Sequence, residues 1–291
     1  MKIDTVYVTY NAEIELLKKS ISSIASQVRK IYIVDNTPKK DRRLDFFQNE
    51  KVEVIYLGDN LGIAFAQNVG IKKAIDNNAE YIMLSDQDTC YPQFYIDEML
   101  KVFKNHNKVA ATAPRFIDSM KKGDDGFIQI APFVFNQFFP KNGTHEIMQA
   151  IASGKILNVQ YLNTIGLMDE KLFIDWVDLE WCWRARAKGY NIIGNADVII
   201  EHQLGDESVN VGFREVNLRS AMRHYYITRN SFHLALRDKN LDIFHRITLF
   251  FKSFRYIIGF PLLSKPHLKH LKYVMIGFWH GIIGKVGKLN G

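Results

Sequence analysis

The chain has 291 residues, room for one large domain or one domain with an appendage, and its 47% hydrophobic content supports a sizeable core and argues against global disorder. The formal charge of +7 is uneven: from Asp206 onward fourteen Lys/Arg face five Asp/Glu, with no acid beyond Asp242, and the first 205 residues are slightly acidic. Two distant cysteines, Cys90 and Cys182, give no CxxC pair, so neither a disulfide framework nor a zinc site is supported and a reducing cytoplasmic setting fits.

The first half alternates strand and helix patterns. Ile3 to Thr9 reads as a buried strand, entered at once from Met1, so no signal peptide is expected. Asn11 is a candidate cap for a helix with Ile14, Leu17, Ile21 and Ile24 at helical spacing. Strands follow at Lys30 to Val34 and Val52 to Leu57, a helix at Gly62 to Ala74, and a strand at Tyr81 to Leu84. A helix from Tyr95 to Asn105 leads to a strand at Val109 to Ala113. This order predicts an α/β fold with a mostly parallel sheet and helices on both faces. Gly, Pro and Asn interrupt the stretch from Arg115 to Gln160, with a short aromatic strand at Ile128 to Asn136. A helix from Trp176 to Lys188 ends at Gly189, a suitable residue just past a helix end, and Asn191 to His202 reads as a strand-like pair. From Val216 the pattern is helical, aromatic and basic. The expected division is therefore 1–205 and 206–291.

The strand at Tyr81 stops at Asp86-Gln87-Asp88. Carboxylates two residues apart at the carboxyl end of a sheet, where α/β proteins bind ligands, can grip one Mg²⁺ or Mn²⁺ together with a substrate's phosphates. Polar loops after the other strands, Thr9-Tyr10-Asn11, Asp35-Asn36 and Asp59-Asn60-Leu61-Gly62, share that rim in a parallel sheet and together suit a nucleotide, though each alone reads more readily as a turn. There is neither GxxxxGK[ST] nor GxGxxG after the first strand, so phosphate charge must meet a cation or basic side chains. A second cluster holds Asp175, Asp178, Glu180 and Trp181 among apolar residues; Asp178 is a candidate general base, and Glu180 a partner for Arg184 four residues on. His202 is a metal-ligand candidate only if its strand ends beside Asp88. Arg229 offers a guanidinium suited to phosphate, with a solvated helix face as the alternative.

With these residues in view the chain resembles glycosyltransferase family two, inverting enzymes of the GT-A fold, and within it the rhamnosyltransferases of bacterial surface polysaccharide assembly. The matching pieces run through the chain in order: Val8-Thr9-Tyr10-Asn11, Val34-Asp35-Asn36, Asn60 to Ala64 with Asn68 and Gly70, and Ser85-Asp86-Gln87-Asp88. Ser153-Gly154, Ile165-Gly166, Phe173 to Asp175, Val177-Asp178 with Glu180-Trp181, Arg184, Gly189-Tyr190, His202 with Gly205, and Tyr226 with Arg229-Asn230 complete them. The resemblance implies that Thr9, Tyr10, Asn11, Asp35, Asn60, Gly62, Asn68, Asp86 and Gln87 meet the nucleotide, and that Asp86, Asp88 and His202 hold a divalent cation. It implies Asp178 as the base, with Asp175, Trp181, Arg184 and Arg229 toward the acceptor or diphosphate. The family's usual acidic pair at the base reads Val177-Asp178 here, leaving one carboxylate at that spot and Asp175 as a possible substitute.

The implied donor is dTDP-rhamnose and the implied acceptor a glycan on a lipid carrier, worked on at the cytoplasmic membrane's inner face. A UDP-hexose or UDP-galactofuranose donor, and a non-catalytic sugar-nucleotide or glycan-binding module, remain alternatives; a generic nucleotidyltransferase lacks its basic glycine loop. Beyond Asp242, apolar Ile243, Ile247, Phe250, Phe251, Phe254, Ile257 and Ile258 interleave with Arg246, Lys252 and Arg255, an amphipathic cationic helix of the interfacial type, with Pro261 and Pro266 expected to break it. Peripheral membrane contact is expected there, with a packed helix or an oligomer contact as the bland reading. No apolar run reaches the roughly 18–20 residues that span a bilayer, and no nucleic-acid motif accompanies the charge.

Overall fold

The computed structural model describes residues 1–118, 123–124, 126–131, 135–201, 208–210, 215–217 and 219–289. In chain order the first elements are β1 (Ile3–Thr9), α1 (Ile14–Ile24), β2 (Lys30–Asp35), β3 (Val52–Tyr56), α2 (Ile63–Asp76), β4 (Tyr81–Ser85), α3 (Tyr95–Asn105) and β5 (Val109–Asp118). Short strands follow: β6 (Gly123–Asp124), β7 (Phe127–Ile128), β8 (Gln137–Phe138), β9 (Thr144–Glu146) and β10 (Ile156–Asn158). Then come α4 (Val159–Ile165), α5 (Val177–Ala187), β11 (Asn191–Glu201), β12 (Ser208–Asn210), β13 (Glu215–Asn217), α6 (Ala221–Arg237), α7 (Ile243–Leu263) and α8 (His267–Ile283).

The main sheet has the order β3-β2-β1-β4-β10-β5-β11-β9, with β6 on β5. The strands β3, β2, β1 and β4 are parallel, and β11 is parallel to β5. This is the GT-A arrangement. Alternating connections through helices produce it: α1 lays Leu17, Ile21 and Ile24 on the sheet, and α3 lays Ile96, Met99 and Leu100 there, each at helical spacing. The strand β10 runs against both neighbours, pairing Ile156 with Met83 and with Thr112. Its beginning therefore lies beside the carboxyl end of β4.

Two compact units emerge. One comprises Met1–Ile130, Asn136–Asp169 and Asp178–Gln203; the other comprises Ala131–Phe135, Glu170–Val177 and Leu204–Gly291. In the second unit, Gly277 and Gly281 let α8 approach α6 at backbone distance. A Cβ at Gly277 would meet the Tyr225 carbonyl at 2.5 Å, and one at Gly281 the Arg229 carbonyl at 2.7 Å. Phe232 from α6 meets Phe250 and Phe254 of α7 and Phe278 of α8 edge-on.

Three sequence expectations change. Glu13, not Asn11, precedes α1; Asn11 takes φ 48° and donates its N–H to the Thr37 hydroxyl at 2.9 Å, so it turns the chain instead of capping the helix. Pro261 lies within the last turn of α7 without ending it, and the break falls at Ser264. Ile128 to Asn136 is no continuous strand: β7 pairs with β8 as a two-residue hairpin rung.

Candidate active site

The carboxyl rim of the sheet is built by loops that lock one another. Asp35, at the end of β2, is buried; its Oδ1 accepts from the Thr9 hydroxyl (3.1 Å), the Thr37 hydroxyl (2.7 Å) and the Thr37 N–H (3.3 Å). Its Oδ2 is buried with no hydrogen-bond partner among the described residues. The Asn36 amide donates to Asn60 Oδ1 (3.0 Å) and its oxygen accepts the Leu61 N–H (2.8 Å), while Asn60 Oδ1 also accepts the Gly62 N–H (3.1 Å). Gly62 has φ 92° and leads into α2. The Tyr10 N–H reaches Gln87 Oε1 at 3.2 Å, tying the first loop to the acidic tripeptide. Thr9, Tyr10, Asn11, Asp35, Asn60, Gly62, Asp86, Gln87 and Asp88 thus occupy one rim.

In the acidic loop, Asp86, Gln87 and Asp88 are half-buried. Ser85 shares a hydrogen bond with the Tyr91 hydroxyl at 2.6 Å, which pins the start of the loop, and Thr89 shares one with Ser153 at 2.7 Å, which pins its end. Asp88 Oδ1 is buried without a partner among the described residues. A carboxylate oxygen removed from water with no donor is costly unless something positive completes it. Two hard oxygen donors, one with an orphaned atom, fit a divalent cation that takes its remaining ligands from phosphate and water. No group of three metal-ligating side chains occurs among the described residues, and His202, the expected third ligand, lies outside them.

Asp178 stands in the first turn of α5. Its Oδ2 accepts the Ala152 N–H at 2.8 Å. Ala152 opens a tight turn closed by the Lys155 N–H on the Ala152 carbonyl (2.9 Å). Gly154 in that turn has φ +74°, and a Cβ there would meet Tyr95 Oη at 2.7 Å and Ile200 Cδ1 at 2.9 Å, so only glycine fits. The Gly154 N–H donates to the Leu84 carbonyl (2.8 Å), and the Leu84 N–H to the Lys155 carbonyl (2.9 Å). One turn therefore bonds Asp178 on one side and the end of β4 and Thr89 on the other. Two features remote in sequence, the acidic loop and Asp178, meet through four residues.

The family model for Glycosyl transferase family 2 matches residues 5–166, more than half of the chain. The chain belongs to this family. It is similar over nearly full length to the dTDP-rhamnosyl transferase RfbF of Shigella flexneri, 30% identical with 98% of this chain and 97% of the relative covered. The low-salt glycan biosynthesis hexosyltransferase Agl10 of Haloferax volcanii is 22% identical, with coverages of 98% and 92%. Among solved structures, S. aureus TarS 1–349 in complex with UDP-GlcNAc superposes with TM-score 0.61 at 17% identity, covering 97% of this chain and 82% of that one. The mannosyltransferase PcManGT from Pyrobaculum calidifontis, in complex with GDP-Man and Mn²⁺, does so with TM-score 0.56 at 14% identity, covering 99% and 76%. These last two establish the fold.

In this family 2 glycosyltransferase, several charged or polar residues expected at the ligand hold backbone instead. Asn68 exchanges two hydrogen bonds with the Met168 main chain, 3.0 and 2.9 Å, as a buried bridge. Trp181 is buried and donates its ring N–H to the Gly166 carbonyl (2.9 Å). Arg184 pairs with Glu180 at 2.8 and 2.9 Å and donates to the Ile165 and Leu167 carbonyls at 2.9 and 2.8 Å, tying α5 to the end of α4. Arg229 is buried, and its guanidinium donates to the carbonyls of Leu172 (2.7 Å), Lys171 (3.3 Å) and Gly287 and to Asn230 Oδ1 (2.8 Å). Burial pushes its pKa down, with Tyr225 and Tyr226 opposing. Asp175 is gripped by Arg223 at 3.1–3.3 Å, so its carboxylate is a structural ion-pair partner and not a ready substitute for the base. Sequence reasoning missed Lys155, Thr89 and Arg223. A lysine at the head of the apolar run Ile156-Leu157 was the one visible signal for the first.

Proposed function

We propose that this glycosyltransferase is a metal-dependent, inverting rhamnosyltransferase. It moves L-rhamnose from dTDP-rhamnose to a polyprenyl-diphosphate-linked glycan in bacterial surface polysaccharide synthesis, such as that of O-antigen. The observation that carries the donor is the 30% identity to a dTDP-rhamnosyl transferase over nearly the whole of both chains. The arrangement of Asp178 and the acidic loop around one turn supports the chemistry.

Asp86 and Asp88 would hold Mg²⁺ or Mn²⁺, which when bound supplies positive charge against that developing on the leaving diphosphate. The buried, partnerless Asp35 Oδ2 suits an imide N–H of the base, with Asn60 and Tyr10 lining the same rim. Ala152 holds Asp178 by Oδ2. Oδ1, with no hydrogen-bond donor on it among the described residues, is the atom that takes the proton of the acceptor hydroxyl. As that O–H bond breaks, the oxygen forms its bond to the anomeric carbon, and the bond to the diphosphate breaks on the opposite face. A β-linked nucleotide rhamnose then yields an α linkage. The test is a mass-spectrometric screen of nucleotide sugars with a synthetic lipid-linked acceptor. A product gaining one deoxyhexose from dTDP-rhamnose is expected. Transfer from UDP-glucose, UDP-galactose or UDP-galactofuranose alone would replace the donor, and binding without turnover would replace catalysis by a binding module.

The same reading places residues 206–291 as a helical extension at the inner face of the cytoplasmic membrane. Among the described residues no helix is long and apolar enough to cross a membrane. Yet α7 exposes Phe251 (67%), Ile258 (64%) and Leu262 (69%), and α8 exposes Leu268 (81%) and Trp279 (59%), amid lysines and arginines with no acid. Such faces bind anionic lipid through apolar insertion and charge together.

A further inference from the structure

Lys155 is fully buried, and the mechanism above gives it no task. Lysine is almost never fully buried unless paired, because an ammonium leaves its hydration behind. Here no carboxylate oxygen lies within 4.0 Å of it among the described residues. Its Nζ instead donates to the Ala150 carbonyl (3.3 Å) and the Asp178 main-chain carbonyl (3.3 Å), approaches Cys182 Sγ (3.8 Å), and sits 5.5 Å from the centre of the Trp181 ring. Carbonyls, a thiol and a ring face solvate a cation, yet taking the ammonium out of water is costly. The reason for the lysine must then lie in what it holds.

Its two carbonyl partners flank the base from different parts of the chain. Ala150 begins the loop whose Ala152 N–H carries the Asp178 carboxylate, and the Asp178 carbonyl belongs to the base itself. The Lys155 main chain closes the turn on Ala152 and bonds Leu84 of β4. One residue therefore fastens the loop, the helix turn bearing the carboxylate, and the strand that ends at the acidic loop. Complete burial argues against Lys155 reaching substrate itself, so it is no nucleophile.

We propose that Lys155 is a positioning residue for the Asp178 base, fixing the first turn of α5 against the 150–155 loop. This rests on Asp178 being that base. The test uses the full-length protein with Mg²⁺, dTDP-rhamnose and the lipid-linked acceptor that turns over in the screen above. Lys155→Met is expected to lower kcat about 10- to 100-fold, the scale of a misplacement near 1 Å. The donor KM and the calorimetric Kd for dTDP should stay within about twofold, and the melting temperature should fall modestly, because the Ala150 and Asp178 carbonyls lose a donor. Lys155→Arg should recover part of the kcat. Should Lys155→Met fold poorly, Lys155→Gln, which removes the charge but keeps a donor, is measured in the same way. An unchanged kcat overturns the inference, and so does a loss in which dTDP affinity and melting temperature fall together. Asp178→Asn is run alongside: full transfer by that variant removes the base reading, whereas an inactive Asp178→Asn beside an unaltered Lys155→Met removes only the role of Lys155.

Discussion

At the sheet rim, Asp35 and Asp88 each keep a buried carboxylate oxygen with no hydrogen-bond donor among the described residues. On α6, Arg229 and Asn230 are just as buried, but their nitrogens are bonded: Arg229 to three carbonyls and to Asn230, and Asn230 to the carbonyls of Leu172, Ile174 and Asp175 at 2.9–3.1 Å. The second set has a reason to be satisfied. It holds a segment in which Phe173, Asp175 and Trp176 all take positive φ, a conformation costly for residues with side chains. At the rim the two orphaned carboxylate oxygens fit a ligand that completes them, whereas the Arg229 guanidinium is completed by the protein's own carbonyls.

That contrast separates variants that lose function from those that lose the fold. Asp178→Asn should reduce kcat by about 10²–10⁴-fold, the usual contribution of a general base, while calorimetric dTDP binding survives. Lost dTDP binding would make Asp178 a ligand residue. EDTA should stop transfer and Mg²⁺ or Mn²⁺ restore it, and Asp88→Asn should lose the Mg²⁺-dependent part of dTDP binding without losing stability in metal-free buffer. Full turnover in EDTA would remove the cation from the mechanism. Arg229→Met leaves the Lys171, Leu172 and Gly287 carbonyls short of a donor and should destabilise by about 3 kcal/mol in urea unfolding. A stable variant with weakened donor binding would return Arg229 to the diphosphate.

The second unit should also respond to acid. His224 Nδ1 meets His270 Nδ1 at 2.8 Å, and its ring stacks on Phe260 at 3.8 Å. Burial first, then His270, Arg219 and Arg223, push its pKa down to about 4. A folded-state value below the unfolded 6.5 favours the neutral ring, so this stability is complete above pH 6.5 and is lost as pH falls toward 4. The loss is on the order of 3 kcal/mol, and His224→Gln should flatten the melting-temperature profile over that window. The smallest effect expected is at the lipid surface. Replacing Phe251 and Leu262 with serine should reduce sedimentation with anionic liposomes several-fold and leave transfer to a short soluble acceptor intact. Equal sedimentation of the unaltered protein with and without liposomes would end the membrane reading.

The parallel strands were legible because each is an apolar run that stops at a polar turn, as Tyr81 to Leu84 does before Asp86. The strand β10 was not, since Ile156-Leu157-Asn158 is three residues long and its pairing with β4 is non-local. The position of Asp86, Gln87 and Asp88 on one rim could be read from strand order alone. The surroundings of Arg184 and Arg229 could not: sequence displays a guanidinium's charge but not its burial, and both were expected toward the acceptor or diphosphate where main-chain carbonyls bind them. Asp175 was ambiguous for the same reason, its partner Arg223 lying 48 residues away.

The reversed course of β10 has a consequence for how such a chain can change. Because it enters from the carboxyl rim, the turn at Ala152 stands between the end of β4 and Asp178 wherever the chain has run before it, and on the way the chain has already placed β9 at the sheet's far edge. A change of length in the stretch before that turn need not move it, since its own bonds to Leu84 and to Asp178 hold it in place.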